Sequence, residues 1–148
     1  MFKFSNSSCG RMQGVHPDIV LVFMVALANS PIDFGIPAHG GVRTAATQNK
    51  LFNEGVSKCD GYELLSNHQV KEGDKYGMAL DFYAYVNGHA SWEEHHLSMV
   101  AGVILSTAKK LKSIGAITLD LEWGGTFGSE NFSGWDMPHI QGVLGQSA

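Results

Sequence analysis

Apolar residues recur at helical spacing in two stretches of this chain, and those stretches predict its most regular elements. In the first, Pro17 suits an opening turn and Asp18 favours the positive end of a helix dipole; the apolar run over 19–28 then closes at Asn29-Ser30-Pro31. In the second, Leu97, Val100, Ala101, Ile104, Ala108 and Leu111 mark one helix face, and Gly115 is placed to end it. Ser91-Trp92-Glu93-Glu94 has the form of a capping box, so this long helix is expected to start there. Residues 44–53 predict a third, short helix. The run M-A-L-D-F-Y-A-Y-V over 78–86 is aromatic and apolar at strand length, and alternation would put Ala79, Asp81, Tyr83 and Tyr85 on one face. Further strands are predicted at 116–123 and 139–143, separated by a glycine-rich loop that reaches Gly134. This order predicts an α+β fold, with two or three helices packed on a small, mainly antiparallel sheet.

Composition narrows the reading. A chain of 148 residues falls in the single-domain range and can bury roughly 70% of the surface its unfolded form exposes. Charged residues make up 16%, against about 25% in ordinary domains, and 18 glycines point to a loop-rich domain. A formal net charge of −4 without any Lys/Arg block excludes nucleic acid as a partner. Lys109, Lys110 and Lys112 fall where a helix should end, where cations complement its dipole. Cys9 and Cys59 are too few for a disulfide scaffold and read as free thiols. Ser5, Asn6, Ser7 and Ser8 stand where a signal peptide would be apolar, so no secretory signal is expected. The 19–28 run is shorter than the roughly 20 residues a membrane span needs, and reads as a core helix.

Among seven histidines, two have informative surroundings. His68 shortly precedes Gly77-Met78-Ala79-Leu80-Asp81, and His139 closes Trp135-Asp136-Met137-Pro138-His139. Two histidines and one aspartate meet the needs of a catalytic zinc site, which takes three protein ligands and leaves a fourth position for water. Spacing alone does not separate this reading from one in which all three are ordinary polar residues. Asp81 tips the balance, because a carboxylate in an apolar strand is costly to desolvate without a cationic partner. Pro138 disfavours helix at Met137 and predicts a bend from which Asp136 and His139 face one pocket. His95 and His96 beside Glu93-Glu94 read as a solvated helix face; His16, His39 and His89 read as turn residues.

Gly41-Val42-Arg43-Thr44, Ser66-x-His68 with Gly77-x-Ala79-x-Asp81, and Trp135-Asp136-x-Pro138-His139 together resemble the signature of the DD-carboxypeptidase and L-alanyl-D-glutamate peptidase superfamily, whose fold hedgehog-type proteins share. His16-Pro17-Asp18 and Gln48 resemble its phage-endolysin branch. The resemblance spans nearly the whole chain. It implies zinc bound by His68, Asp81 and His139, with Asp136 as catalytic base and Arg43 polarising the substrate carbonyl. Ser66, Gln48 and Trp135 are expected to contact substrate. One departure is an apparent insertion at 70–75, which reads as a longer loop that leaves both flanking ligands in place.

The implied function is zinc-dependent hydrolysis of a peptidoglycan stem-peptide amide, with L-alanyl-D-glutamate as the expected bond and cell lysis as the outcome. Two rivals stand beside it: a D-alanyl-D-alanine carboxypeptidase or dipeptidase, and a wall-binding module of the same fold without turnover. The chain is expected to be one catalytic domain over 1–148 with no separate wall-binding domain, monomeric, without membrane insertion. It is expected to be made in the host bacterial cytoplasm and to act on the wall after release.

Overall fold

The computed structural model describes residues 1–127 and 134–145. It opens with a helix that the hydrophobic pattern does not predict, α1 (Asn6–Arg11), whose residues are mostly polar; the Ser5 side chain caps it by accepting from the Ser8 N–H. α2 (Pro17–Asn29) starts as predicted, and His16 is its cap, with Nδ1 accepting from the Asp18 N–H at 3.0 Å. Ile19, Val22, Phe23, Ala26 and Leu27 are buried along one side, the spacing that keeps one helix face on a core. β1 (Asp33–Gly35) is too short to show an alternation. α3 (Ala45–Asn53) is capped by the Thr44 hydroxyl, which accepts from the Thr47 N–H.

Residues 78–86 form two strands, not one. β2 (Ala79–Asp81) and β3 (Tyr83–Val86) are divided at Phe82, whose N–H donates to the Pro138 carbonyl at 2.8 Å. The Phe82 ring is fully buried and meets Phe23 and Phe34 edge-on, with centroids 6.4 and 6.5 Å apart. Burying that ring breaks the predicted face of four residues, because the chain changes sheets at this point. β4 (His89–Ser91) returns through Asn87-Gly88, both at positive φ (53° and 82°), as a two-residue hairpin turn requires. Ser91 therefore ends a strand, and the predicted capping box does not form. α4 (Glu94–Ser113) has Glu93 at its cap without a side-chain bond, while the Ser91 hydroxyl meets His96 Nδ1 at 2.7 Å.

The predicted face of α4 is buried at Leu97, Val100, Ala101, Ile104 and Ala108, and Lys110 and Lys112 lie in its last turn. β5 (Leu119–Trp123), a 3₁₀ turn (Gly124–Thr126) and β6 (His139–Leu144) complete the described chain. Among the described residues the strands make two antiparallel sheets of three, ordered β1-β3-β4 and β2-β6-β5. α2 and α4 pack on each other and on β5, and one hydrophobic cluster joins both helices to both sheets. Each fully buried Ile, Leu or Phe adds roughly 1.5–3 kcal/mol. The Asp18 carboxylate accepts from the Thr118 and Leu119 N–H groups at 2.9 and 3.2 Å, tying the start of α2 to the start of β5. No helix among the described residues is long and apolar enough to cross a membrane.

Candidate active site

Strand register assembles the site. Asp81 on β2 lies directly opposite His139 on β6, so their side chains stand on the same face of the sheet. The next pair, Leu80 and Ile140, faces the other way and is fully buried in the core. His68 joins from a loop that its neighbours fix: the Ser66 hydroxyl accepts from the His68 N–H at 3.1 Å, and Gln69 bonds both the Ser66 N–H and the Gly61 carbonyl. Asp81 Oδ1 is 3.2 Å from His68 Nε2 and 3.2 Å from His139 Nδ1, and the two nitrogens are themselves 3.2 Å apart.

The surrounding bonds decide which ring nitrogens carry protons. His68 Nδ1 meets the Gly41 carbonyl at 3.0 Å; a carbonyl only accepts, so Nδ1 holds the hydrogen and Nε2 keeps a lone pair. Around His139 a chain of bonds runs one way only. Lys71 donates to Asn67 Oδ1, Asn67 Nδ2 donates to Gln141 Oε1, and Gln141 Nε2 donates to the Glu122 carboxylate. Gln141 Oε1 must then accept from His139 Nε2, 3.0 Å away, which leaves a lone pair on Nδ1. Two imidazole lone pairs and one carboxylate oxygen thus converge on the same point, an arrangement that calls for a cation between them. The spacing fits zinc: bonds of about 2.0–2.1 Å in a tetrahedron place ligand atoms roughly 3.3–3.4 Å apart.

Gly41 links this orientation to the unpredicted first helix. A Cβ at Gly41 would fall 1.8 Å from the Arg11 carbonyl oxygen, so only glycine allows the loop to rest on the end of α1 while its own carbonyl holds His68. Gly124 plays a similar part for Asp136, whose carbonyl oxygen lies where a Cβ would be.

Arg43 holds Asp81 from behind the cluster. Its Nη2 bonds Asp81 Oδ2 at 3.0 Å, Nη1 bonds Gln48 Oε1 at 3.1 Å, and Nε donates to the His39 carbonyl. Burial pushes the Asp81 carboxyl up, but the charges and hydrogen bonds of His68 and His139 more than offset this and hold it well below the usual carboxylate range. Burial likewise lowers His139, and the hydrogen bond and charge of Asp81, followed by the charge of Asp136, reverse the sign and raise it above 6.5. Asp136 Oδ2 stands 3.7 Å from His139 Nδ1 and is not one of the converging atoms. Burial raises its pKa, Asp81 adds to the rise, and His139 opposes it. A half-buried carboxyl with a raised pKa beside a cation site suits a proton-transfer group.

These residues open onto a cleft of about 650 Å³, lined by Arg43, His68, Asp81, Asp136 and His139 and walled by Trp92, Phe127 and Trp135. Ser66 reaches the wall of the cleft. Gln48 does not: it is fully buried, with its oxygen on Arg43 and its amide on Ser57 and the Cys59 carbonyl, so it supports Arg43 from behind. Trp123 is buried, donating from Nε1 to the Met137 carbonyl at 2.6 Å. Glu122 is exposed and its carboxylate accepts from Gln141; Glu130 lies outside the described residues. Residues 70–75 form a turn closed by Asp74 N–H on the Lys71 carbonyl, and His68 and Asp81 on either side of it still meet at 3.2 Å. A cleft of equal volume between α4 and β5 contains none of the converging ligands. Sequence reasoning missed Gln141, Asn67 and the Gly41 carbonyl. Gln141 was within reach, since two positions beyond His139 on a strand is the same face.

An α+β core that presents two histidines and an aspartate to a cleft, with a proton-carrying carboxylate beside them, fits a hydrolase. Residues 1–143 match the family described as phage L-alanyl-D-glutamate peptidase, and the chain belongs to that family. Among solved structures it is similar to the L-Ala D-Glu endopeptidase ChiX of Serratia marcescens, at 28% identity and a TM-score of 0.72, covering 96% of this chain and 90% of that one. No curated protein matches it. The protein is a peptidase of the L-alanyl-D-glutamate type acting on peptidoglycan.

Proposed function

We propose that the chain hydrolyses the L-alanyl-D-glutamate amide of the stem peptide with zinc held by His68, Asp81 and His139. The observation that carries this is the convergence of three lone pairs at 3.2 Å, with both ring tautomers set by their outer partners. When bound, zinc acts as a Lewis acid and brings water ionisation to near pH 7. Asp136 takes the proton of the attacking water and passes it to the leaving amine of the D-glutamyl residue. Arg43, besides orienting Asp81, supplies positive charge where the carbonyl oxygen becomes an oxyanion. Ser66 and Trp135 border the substrate. The one hydrophobic cluster of the described residues supports one catalytic domain; we take it to act as a monomer. In keeping with a phage enzyme, it is made in the host cytoplasm and reaches the wall after release.

Digestion of purified peptidoglycan, followed by mass spectrometry, tests this reading. New glutamyl amino termini, lost on chelation and restored by zinc, are expected. Release of D-alanine would shift the assignment to the carboxypeptidase rival, and full activity in chelator with no metal bound would remove zinc from the mechanism.

A further inference from the structure

The cleft contains a cation that the catalytic arrangement does not use. Lys58 lines it, with Nζ 4.2 Å above the centroid of the Trp135 ring. Among the described residues that contact is the one interaction of this side chain, and no carboxylate there pairs with it. Arg43, the other Lys or Arg lining the cleft, is committed to Asp81, Gln48 and the His39 carbonyl.

The substrate class brings an anion. A D-glutamyl residue has two carboxyl groups; whichever continues the peptide, the other stays free within a few bonds of the scissile nitrogen. Position along the cleft follows from the proton path. Asp136 serves the leaving nitrogen, so its side of the cleft receives the glutamyl residue, and Lys58 sits on Trp135, its immediate neighbour in the chain. An exposed ammonium over an aromatic face gains only about 0.5–1 kcal/mol. It is thus free to turn to a carboxylate.

We propose that Lys58 is a specificity residue that binds the free carboxylate of the D-glutamyl residue on the leaving-group side, with Trp135 as the platform that holds its ammonium in the cleft. This rests on the L-alanyl-D-glutamate reading. It makes the enzyme selective for wall peptides whose glutamyl carboxylate is free over those in which it is amidated.

The test is a charge swap across the contact. Two synthetic stem peptides, identical except that the free glutamyl carboxylate of one is a carboxamide in the other, are cleaved by the parent, Lys58→Met and Lys58→Glu, and kcat/KM is measured for all six pairs. The parent should prefer the carboxylate by about tenfold, the scale of a hydrogen bond to a charged group. In Lys58→Met the ratio should collapse toward one, and in Lys58→Glu it should reverse. A side chain that merely packed on Trp135 would slow both substrates alike and leave the ratio unchanged, which overturns the proposal. Failure of the parent to cut either peptide after alanine would instead overturn the bond assignment beneath it.

Discussion

Among the described residues, two places gather two histidines and one carboxylate with ligand atoms close enough to hold a metal: His68, Asp81 and His139 at the β2–β6 pair, and Glu93, His95 and His96 at the start of α4. By residue type and distance they are equals. Glu93 Oε2 is 3.3 Å from His95 Nε2 and 3.4 Å from His96 Nδ1. What differs is the surroundings. In the first, both outer ring nitrogens are spoken for by protein partners, the second carboxylate oxygen is held by Arg43, and the two histidines are buried. In the second, the Glu93 and His95 side chains are 63% and 72% exposed, and His96 Nδ1, the nitrogen facing Glu93, is already on the Ser91 hydroxyl. The cluster also sits at the positive end of a helix dipole, which opposes a cation. Ligand identity is shared by both clusters; the partners that fix tautomer and orientation favour the first as a metal site.

The largest expected effect breaks the comparison outright. His68→Ala, Asp81→Ala and His139→Ala should each abolish stoichiometric zinc and peptidoglycan hydrolysis, whereas the double variant His95→Ala/His96→Ala should retain both. Elemental analysis and a wall-lysis assay on the four proteins check it. Zinc lost only from the double variant would exchange the roles of the two clusters.

Next in size is Asp136, near the first cluster but not among its converging atoms. Asp136→Asn should keep its zinc and lose about 10²- to 10⁴-fold in kcat, the usual contribution of a positioned proton carrier. Because burial raises the parent Asp136 pKa, the acid limb of its kcat profile should lie above the ordinary aspartate range. A variant with near-parental turnover would place the base elsewhere.

Smaller again is the contribution of the outer partners. Gln141→Ala frees the His139 ring to take either tautomer, and zinc affinity should weaken by about 10–100-fold, the range for ligand-supporting residues. Ser91→Ala removes the corresponding bond of His96 and should leave zinc affinity unchanged. Competition with a chromogenic chelator measures both, and equal affinities in all three proteins would deny the tautomer argument.

How much of this was legible without coordinates follows from the reach of each signal. α2 and α4 were readable because 13 and 20 residues give several turns of apolar repeat. α1, β1 and β4 are held by tertiary contacts in segments too short for a period, although Asn87-Gly88 was a readable hairpin signal. The strand division at Phe82 was hidden because burial on both sides of a sheet change looks like one continuous apolar run. His68, Asp81, His139 and Asp136 were picked out by the motif pattern. Gln48 was assigned to the substrate and turned out to be buried, since a motif marks that a residue matters without saying on which side of the site it stands. Gln141, Asn67 and the Gly41 carbonyl act through bonds spanning up to 74 positions, and no local pattern carries that.

The smallest effect separates the clusters through pH in the metal-free protein. His139 has a folded pKa raised above 6.5, chiefly by Asp81, so protonation stabilises the fold. That stabilisation is fully present below about pH 6.5 and is lost as pH rises through the raised value. Asp81, held low by the same pairing, contributes above its unfolded pKa near 3.8 and loses this only as pH falls well below it. The metal-free enzyme should therefore be most stable in mild acid and lose a few degrees of Tm between pH 6 and 8; about 1 kcal/mol moves Tm by roughly 2–4 °C at this size. Zinc reverses the trend, because metal and proton compete for the lone pair on His139 Nδ1, so added zinc should raise Tm more at pH 8 than at pH 6. Asp81→Asn should flatten the metal-free profile, and His95→Ala/His96→Ala should leave it intact. Differential scanning fluorimetry across that range, with and without zinc, reads all four curves. A metal-free Tm that climbs from pH 6 to 8 would mean that His139 and Asp81 do not share a proton when the metal is gone.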